Sequence, residues 1–302
     1  KGWELWMSTS KWLSKDIDVE KRNGLCLAFT EDEEKLLNER SKIRKDYGAD
    51  IKIISKKEAL RFDPNINKNI KCAAFCAMDG YVSANQTGYA YSKALKENNV
   101  KILENFEVTD IDFSENNYTI LSKTGEKLIS KKLILATGVH LNKALELLNI
   151  KVNIKCLPQQ LIVSERMPKV MDTVITVANG KLSLKQFKNG TVLIGGGWPG
   201  IGSAEENFTA TKSENLIGNM RLACHAIPKL KHSRVARVWL GLEAETDDAM
   251  PIIGELPDFN NAYVIGSIHS GYTSGPYMGK LLAKKILGED VDLSLFDIKR
   301  FL

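Results

Sequence analysis

The sequence predicts a mixed α/β (α+β) fold in which a large antiparallel sheet is interleaved with a smaller unit built on a parallel strand. Two observations lead there. Short apolar segments separated by turn residues fill 152–194, the pattern of a broad antiparallel sheet. Leu133-Ile-Leu-Ala136 is instead one continuous apolar run of the kind buried on both faces. It breaks at Thr137-Gly138 into a helical pattern carrying Leu141, Leu145 and Leu148. No linker, repeat or low-complexity stretch separates the two units. Each is therefore expected in two pieces, 1–78 with 158–242 and 79–157 with 243–302.

Local signals place the elements. Trp3, Trp6 and Trp12 mark a helix already under way at the start of the chain. Thr30-Glu-Asp-Glu33 and Ser55-Lys-Lys-Glu58 carry the capping-box pattern. They open helices that run toward Gly48 and stop by Asp63-Pro64. A strand over 70–78 is expected to close on an Asp79-Gly80 turn, and a helix over 85–98 to bury Tyr89, Ala90, Ala94 and Leu95. Strands at 106–113, 118–122 and 126–130, joined at Asn116-Asn117 and Thr124-Gly125, form a meander. Beyond the antiparallel run come a helix over 213–227, strands at 235–240 and 262–265, and a last helix. Met278, Leu281, Leu282 and Ile286 share a face of that helix before Gly288 caps it.

Composition excludes several classes of function. With 302 residues, 43% hydrophobic and 26% charged, the chain has ample apolar surface for two globular domains and is not disordered. No apolar stretch nears the ~20 residues of a helical span, so no transmembrane segment is expected. The 42 basic and 37 acidic residues leave a net charge of +5 spread along the chain, without the basic stripe of a nucleic-acid binder. Five cysteines, an odd number at irregular spacing, argue for a reducing compartment and hence a cytoplasmic location.

Several motifs are better explained by structure than by chemistry. Gly195 to Gly200 fits G-x-G-x-x-G, but Pro199 and Gly202 prolong the loop where a phosphate-binding helix should begin, so a glycine-rich turn is expected. Cys72 with Cys76, and His225 with His232, lack a second ligand pair at metal spacing, and no metal is expected. Asp247-Asp248 suits a turn. The segment His269-Ser-Gly-Tyr-Thr-Ser-Gly-Pro276 is different. It joins a strand to a helix, with Pro276 suited to the first helical turn. The free N–H groups of that helix would face an anion or a ring that gains negative charge on reduction.

Read in order, Asp79-Gly-Tyr-Val82 before a helix, the strand around Val108, Leu133 to Gly138, Trp239 to Gly254, His269 to Gly279 and Phe296 to Phe301 resemble the glycine oxidase and D-amino-acid oxidase family of FAD-dependent oxidoreductases. The resemblance spans nearly the whole chain. It implies an FAD-binding Rossmann-like domain (79–157 and 243–302) interleaved with an antiparallel-sheet substrate domain (1–78 and 158–242). FAD would be bound by Val108, Ala136, Thr137, Gly138, His269, Ser270, Gly271, Tyr272 and Thr273, and the substrate by Glu243 and Gln160. The implied reaction oxidises the C–N bond of an amino acid or secondary amine, with hydride passing to flavin N5 and no obligatory acid or base. A partner subunit or electron acceptor would take the electrons onward.

Two departures stand out. The family's first strand and phosphate-binding glycine loop are not found after Lys1, so the domain is expected to be N-terminally truncated. Glu243 replaces an arginine that pairs with the substrate carboxylate in amino-acid-oxidising branches, and a glutamate there favours an amine or another cation. Together they motivate the alternative of a non-catalytic subunit or binding module.

Overall fold

In the computed structural model, which describes residues 1–13 and 17–302, the largest layer is an eight-stranded sheet. Its strands in spatial order are Val235–Thr246, Ile154–Ser164, Val192–Gly195, Ser183–Gln186, Val174–Val177, Glu20–Ala28, Cys72–Tyr81 and Ile51–Ser55. Neighbours are antiparallel except Glu20–Ala28 beside Val174–Val177, which run parallel. One face buries Leu25, Ile175, Leu184, Ile194 and Ile162 against Ala223 and Ala226 of helix Ser213–Ala226. Side chains of this kind contribute roughly 1.5–3 kcal/mol each on full burial, so this layer is a major source of the fold's stability. Both capping boxes form, at Thr30 for helix Glu31–Asp46 and at Ser55 for helix Lys56–Phe62.

A second layer joins the meander Val108–Ser114, Asn117–Ser122 and Lys127–Ser130 to a three-stranded sheet of Ile252–Glu255, Ala262–Gly266 and Leu133–Leu135. Leu133–Leu135 runs parallel to Ala262–Gly266. Both sheets pack on Leu141, Leu145 and Tyr118, all fully buried. The first hairpin turns on Glu115 and Asn116, both at positive φ, one residue earlier than the Asn-Asn pair implied.

Three expectations need correction. Asp79-Gly80 is not a turn, because strand Cys72–Tyr81 runs through it. The glycine is there for close approach, since a Cβ on Gly80 would fall 2.1 Å from the Glu20 carbonyl oxygen. Leu133–Leu135 is covered on one face only, and Ile134 is 48% exposed. Helix Ala84–Glu97 turns Ala90, Tyr91 and Ala94 inward onto Trp6, Leu13 and Ile17, and leaves Tyr89 and Leu95 exposed. The bulk of Trp6 sets that rotation, which helical periodicity leaves open. Strand Ile252–Glu255 is an element not anticipated from the sequence, which shows no alternation there because Ile252, Ile253 and Gly254 are all buried.

The expected piece boundaries at 78/79, 157/158 and 242/243 fall inside strands Cys72–Tyr81, Ile154–Ser164 and Val235–Thr246. The opening helix Gly2–Met7 packs against helix Ala84–Glu97 and the closing helix Gly271–Ile286, and its Trp3 ring lies over Gly80 of strand Cys72–Tyr81.

The chain's end is fastened by Arg300. Its guanidinium donates to Asp248 Oδ2 at 2.7 Å and to the Met250 and Pro251 carbonyls at 2.9 Å each. Asp248 also accepts from the Thr246 hydroxyl and the Met250 N–H, so it organises the turn between the two sheets. The Arg300 guanidinium, above all, holds the Asp248 carboxyl well below the usual carboxylate range. A depressed carboxylate contributes stability above its unfolded value, about 3.9, and loses it as pH falls through the folded value. Wild-type urea midpoints should therefore fall more steeply below about pH 4 than those of Arg300→Met. Parallel curves would remove the clip from the acid response.

Candidate functional site

Strand Ala262–Gly266 leads through Ser267, at positive φ, into a loop ending at Ser270, also left-handed, and helix Gly271–Ile286 begins at once. Pro276 therefore lies inside the helix, not in its first turn. It has no N–H, so the carbonyl of Tyr272 loses its helical donor. The indole N–H of Trp6 takes that place, donating to Tyr272 O, and the two rings stack with centroids 5.8 Å apart. Gly2 makes the approach possible, since a Cβ there would lie 2.0 Å from the Thr273 carbonyl oxygen. A tryptophan from the start of the chain thus completes a helix near its end.

Against this helix opens a cavity of about 1000 Å³, within the range of sites for sizeable ligands. Gly271, Gly275 and Gly279, spaced by four, put one bare helix face on it, and a Cβ added at any of them would meet no atom within 4 Å. Ala136 and Gly138 form a second wall, and Leu242, Glu243 and Ala244 a third. Trp6, Trp12, Thr87 and Tyr91 close the remaining side. The helix start turns the amides of Gly271 and Tyr272 toward its open end, where they lack intrahelical acceptors. Thr273 and Ser274 donate back to the Ser270 carbonyl.

The acidic group comes from strand Val235–Thr246, which continues past the expected end at 240 because it pairs with Ile154–Ser164 along its whole length. Glu243 and Glu245, two residues apart, project from one face of it. His269 Nδ1 lies 3.1 Å from Glu243 Oε1 and 3.7 Å from Glu245 Oε2, and the Ser270 N–H is 3.4 Å from the same Glu243 oxygen. All three side chains are partly exposed. Burial pushes the Tyr91 hydroxyl up, with Tyr272 adding to the effect.

Of the residues singled out in the sequence, Ala136, Gly138, Gly271, Tyr272 and Glu243 line the cavity. Thr137 sits between two of them, His269 and Ser270 touch Glu243, and Thr273 belongs to the first helical turn. Val108 stands outside the cavity lining, 41% exposed at the start of the meander. Gln160 is a correction. It is 2% exposed and exchanges hydrogen bonds with the backbone of Lys212, 3.2 Å from its carbonyl and 3.1 Å from its N–H. It points to the sheet's core side with Ile162, and its amide is committed to the fold. Trp6, Trp12, Thr87 and Tyr91 were missed as cavity residues. The only signal in the sequence was the density of tryptophan at the start of the chain. The glycine run after Val192–Gly195 is a loop followed by a small hairpin, with Gly196 pressed on the Leu182 backbone, and helix Ser213–Ala226 starts well beyond it. Asp247 pairs with Lys155, and the His225 ring packs on Phe29.

A family model described as DAO, FAD dependent oxidoreductase, matches residues 1–285. A component of the opine oxidase of Rhizobium meliloti, one of that enzyme's subunits, is 24% identical over 99% of this chain and 80% of that protein. Among solved structures, glycine oxidase from Geobacillus kaustophilus superposes with a TM-score of 0.90 at 19% identity, covering 100% of this chain and 82% of the other. L-proline dehydrogenase from P. horikoshii gives 0.89 at 22%, covering 99% and 81%. At those identities the structural likeness establishes the fold.

The Trp6 contact is testable by itself. Trp6→Phe keeps the stack but removes the donor, leaving the Tyr272 carbonyl without a partner. Urea unfolding should register a loss of about 1–3 kcal/mol. A change below about 0.5 kcal/mol would mean that water already satisfies that carbonyl.

Proposed function

The chain belongs to the DAO family of FAD-dependent oxidoreductases, and on that premise we propose that it oxidises the C–N bond of an amine or amino acid with FAD held in the cavity beside the closing helix. The observation that carries this reading is the bare face of Gly271, Gly275 and Gly279, where added Cβ atoms would enter open space. A planar ring can lie against such a face, and any side chain there would displace it. When bound, FAD supplies a two-electron acceptor for the hydride leaving the carbon next to nitrogen.

The chain's own residues do the rest. Ala136, Thr137 and Gly138 bring backbone close to the cofactor, as do His269, Ser270, Gly271, Tyr272 and Thr273, and Val108 is assigned to its adenine side. Free amides at the start of the closing helix oppose negative charge gathered at that edge. Trp6, Trp12 and Tyr91 supply apolar surface that excludes water. Glu243, facing the cavity, attracts a cationic amine and repels a carboxylate placed against it. The imine product hydrolyses after release. Similarity to one component of a multi-subunit oxidase supports a partner protein as one destination for the electrons.

Two experiments test the reading. Purified protein should carry or take up FAD. Gly275→Leu should keep its fold by circular dichroism yet lose at least about tenfold in FAD affinity, measured by quenching of flavin fluorescence. Anaerobic mixing with glycine, sarcosine, L-proline and simple secondary amines should bleach the bound flavin with at least one of them. Bound flavin that none of these reduces would favour the non-catalytic binding module.

A further inference from the structure

Resting on the reading above, the geometry points to Glu243 and His269 as a dyad that accepts the proton of the substrate's ammonium group, so that the amine reaches the oxidation step neutral. The imidazole is oriented from one side. Its Nδ1 faces Glu243 Oε1 at 3.1 Å and Glu245 Oε2 at 3.7 Å, and a nitrogen set between two carboxylates carries the proton. In the neutral ring Nε2 is then the acceptor. Among the described residues it has no hydrogen-bond partner, and His269 is 48% exposed. Glu243 is held in turn by the Ser270 N–H, whose left-handed backbone aims that amide at the carboxylate. A base whose second nitrogen is fixed by a carboxylate is the arrangement that keeps one tautomer and stabilises the imidazolium once formed.

The step balances without another reactant. One N–H bond of the substrate ammonium breaks, one N–H bond forms at His269 Nε2, and the electron pair stays on the substrate nitrogen. The imidazolium so formed lies beside the carboxyl groups of Glu243 and Glu245, at 3.1 and 3.7 Å, which offset its charge. Hydride loss from the adjacent carbon needs that electron pair, so an amine still protonated cannot react. Two carboxylates on the strand also favour arrival of the ammonium form, the prevalent form of an aliphatic amine near neutral pH. Glu243 lines the cavity, and His269 borders it through Glu243, between the lining residues Ile268 and Gly271; the other titratable lining groups are Tyr91 on helix Ala84–Glu97 and Tyr272 and Lys280 on the closing helix. Neither tyrosine offers a stronger base, and the lysine is a cation.

The test is the pH dependence of anaerobic flavin reduction in the FAD-loaded protein, using whichever of glycine, sarcosine, L-proline or a simple secondary amine bleaches the wild type. His269→Asn should reduce about 100-fold more slowly at pH 7 and recover toward the wild-type rate as the pH rises to where the free amine prevails. Glu243→Gln should show the same recovery from a smaller deficit, about tenfold at pH 7. FAD content and fold, measured in parallel, should match wild type in at least one of the two variants. A rate lowered by one constant factor at every pH, or unchanged at every pH, in variants that hold FAD overturns the dyad while leaving the oxidoreductase reading intact. A wild-type flavin that no probe reduces overturns both.

Discussion

Pairing along strand Val235–Thr246 ties the sheet to the cavity. Its twelve residues run beside Ile154–Ser164 throughout, so the strand belongs to the eight-stranded sheet at one end and reaches the cavity at the other. Strand periodicity sends Val238 to the main core, and Ala244 to the second core. Glu243 and Glu245 take the opposite side from Ala244, where the His269 loop meets them. A slip of one residue would turn both carboxylates into that packed layer and bring Ala244 out of it. The Asp248–Arg300 clip holds the strand's far end, and this makes such a slip costly.

The closing helix is the second half of the site, and it carries an inbuilt defect. Proline in its second turn leaves a carbonyl open, and the structure satisfies it with Trp6 from the opening helix. Rigid neighbours are what a binding wall requires, because a wall of glycines has no side chains of its own to hold it. Gly271, Gly275 and Gly279 can therefore stay bare while Trp6, stacked on Tyr272 at the helix start, braces the helix from beside them. Stability and site geometry share the same contact.

Much of this was legible beforehand, for local reasons. Both capping boxes, the meander, the Gly288 cap and the strand-to-helix loop at His269 follow from side chains that bond or turn their own backbone within a few residues. Ala136, Gly138, Gly271 and Tyr272 came to the cavity because strand ends and helix starts are where backbone is free to meet a ligand, whereas Glu243 reaches it from inside a paired strand. Gln160 came from the family resemblance, which does not say which face of its strand meets the core, where it bonds the Lys212 backbone. Asp79-Gly80 misled because a glycine that permits a turn also permits close strand packing.

Local stretches of sequence were enough for the types of most elements, their order along the chain and the chemistry available at each loop, since these depend on interactions spanning three to ten residues. Only the packed molecule could settle that Trp6 completes a helix 266 positions away, that helix Ala84–Glu97 turns Tyr91 inward and Tyr89 out, and that Glu243 and Glu245 face His269. Such pairings bring together groups far apart in the chain. Which of many apolar or charged partners meet is settled by the packing of whole layers, a quantity that no local window contains.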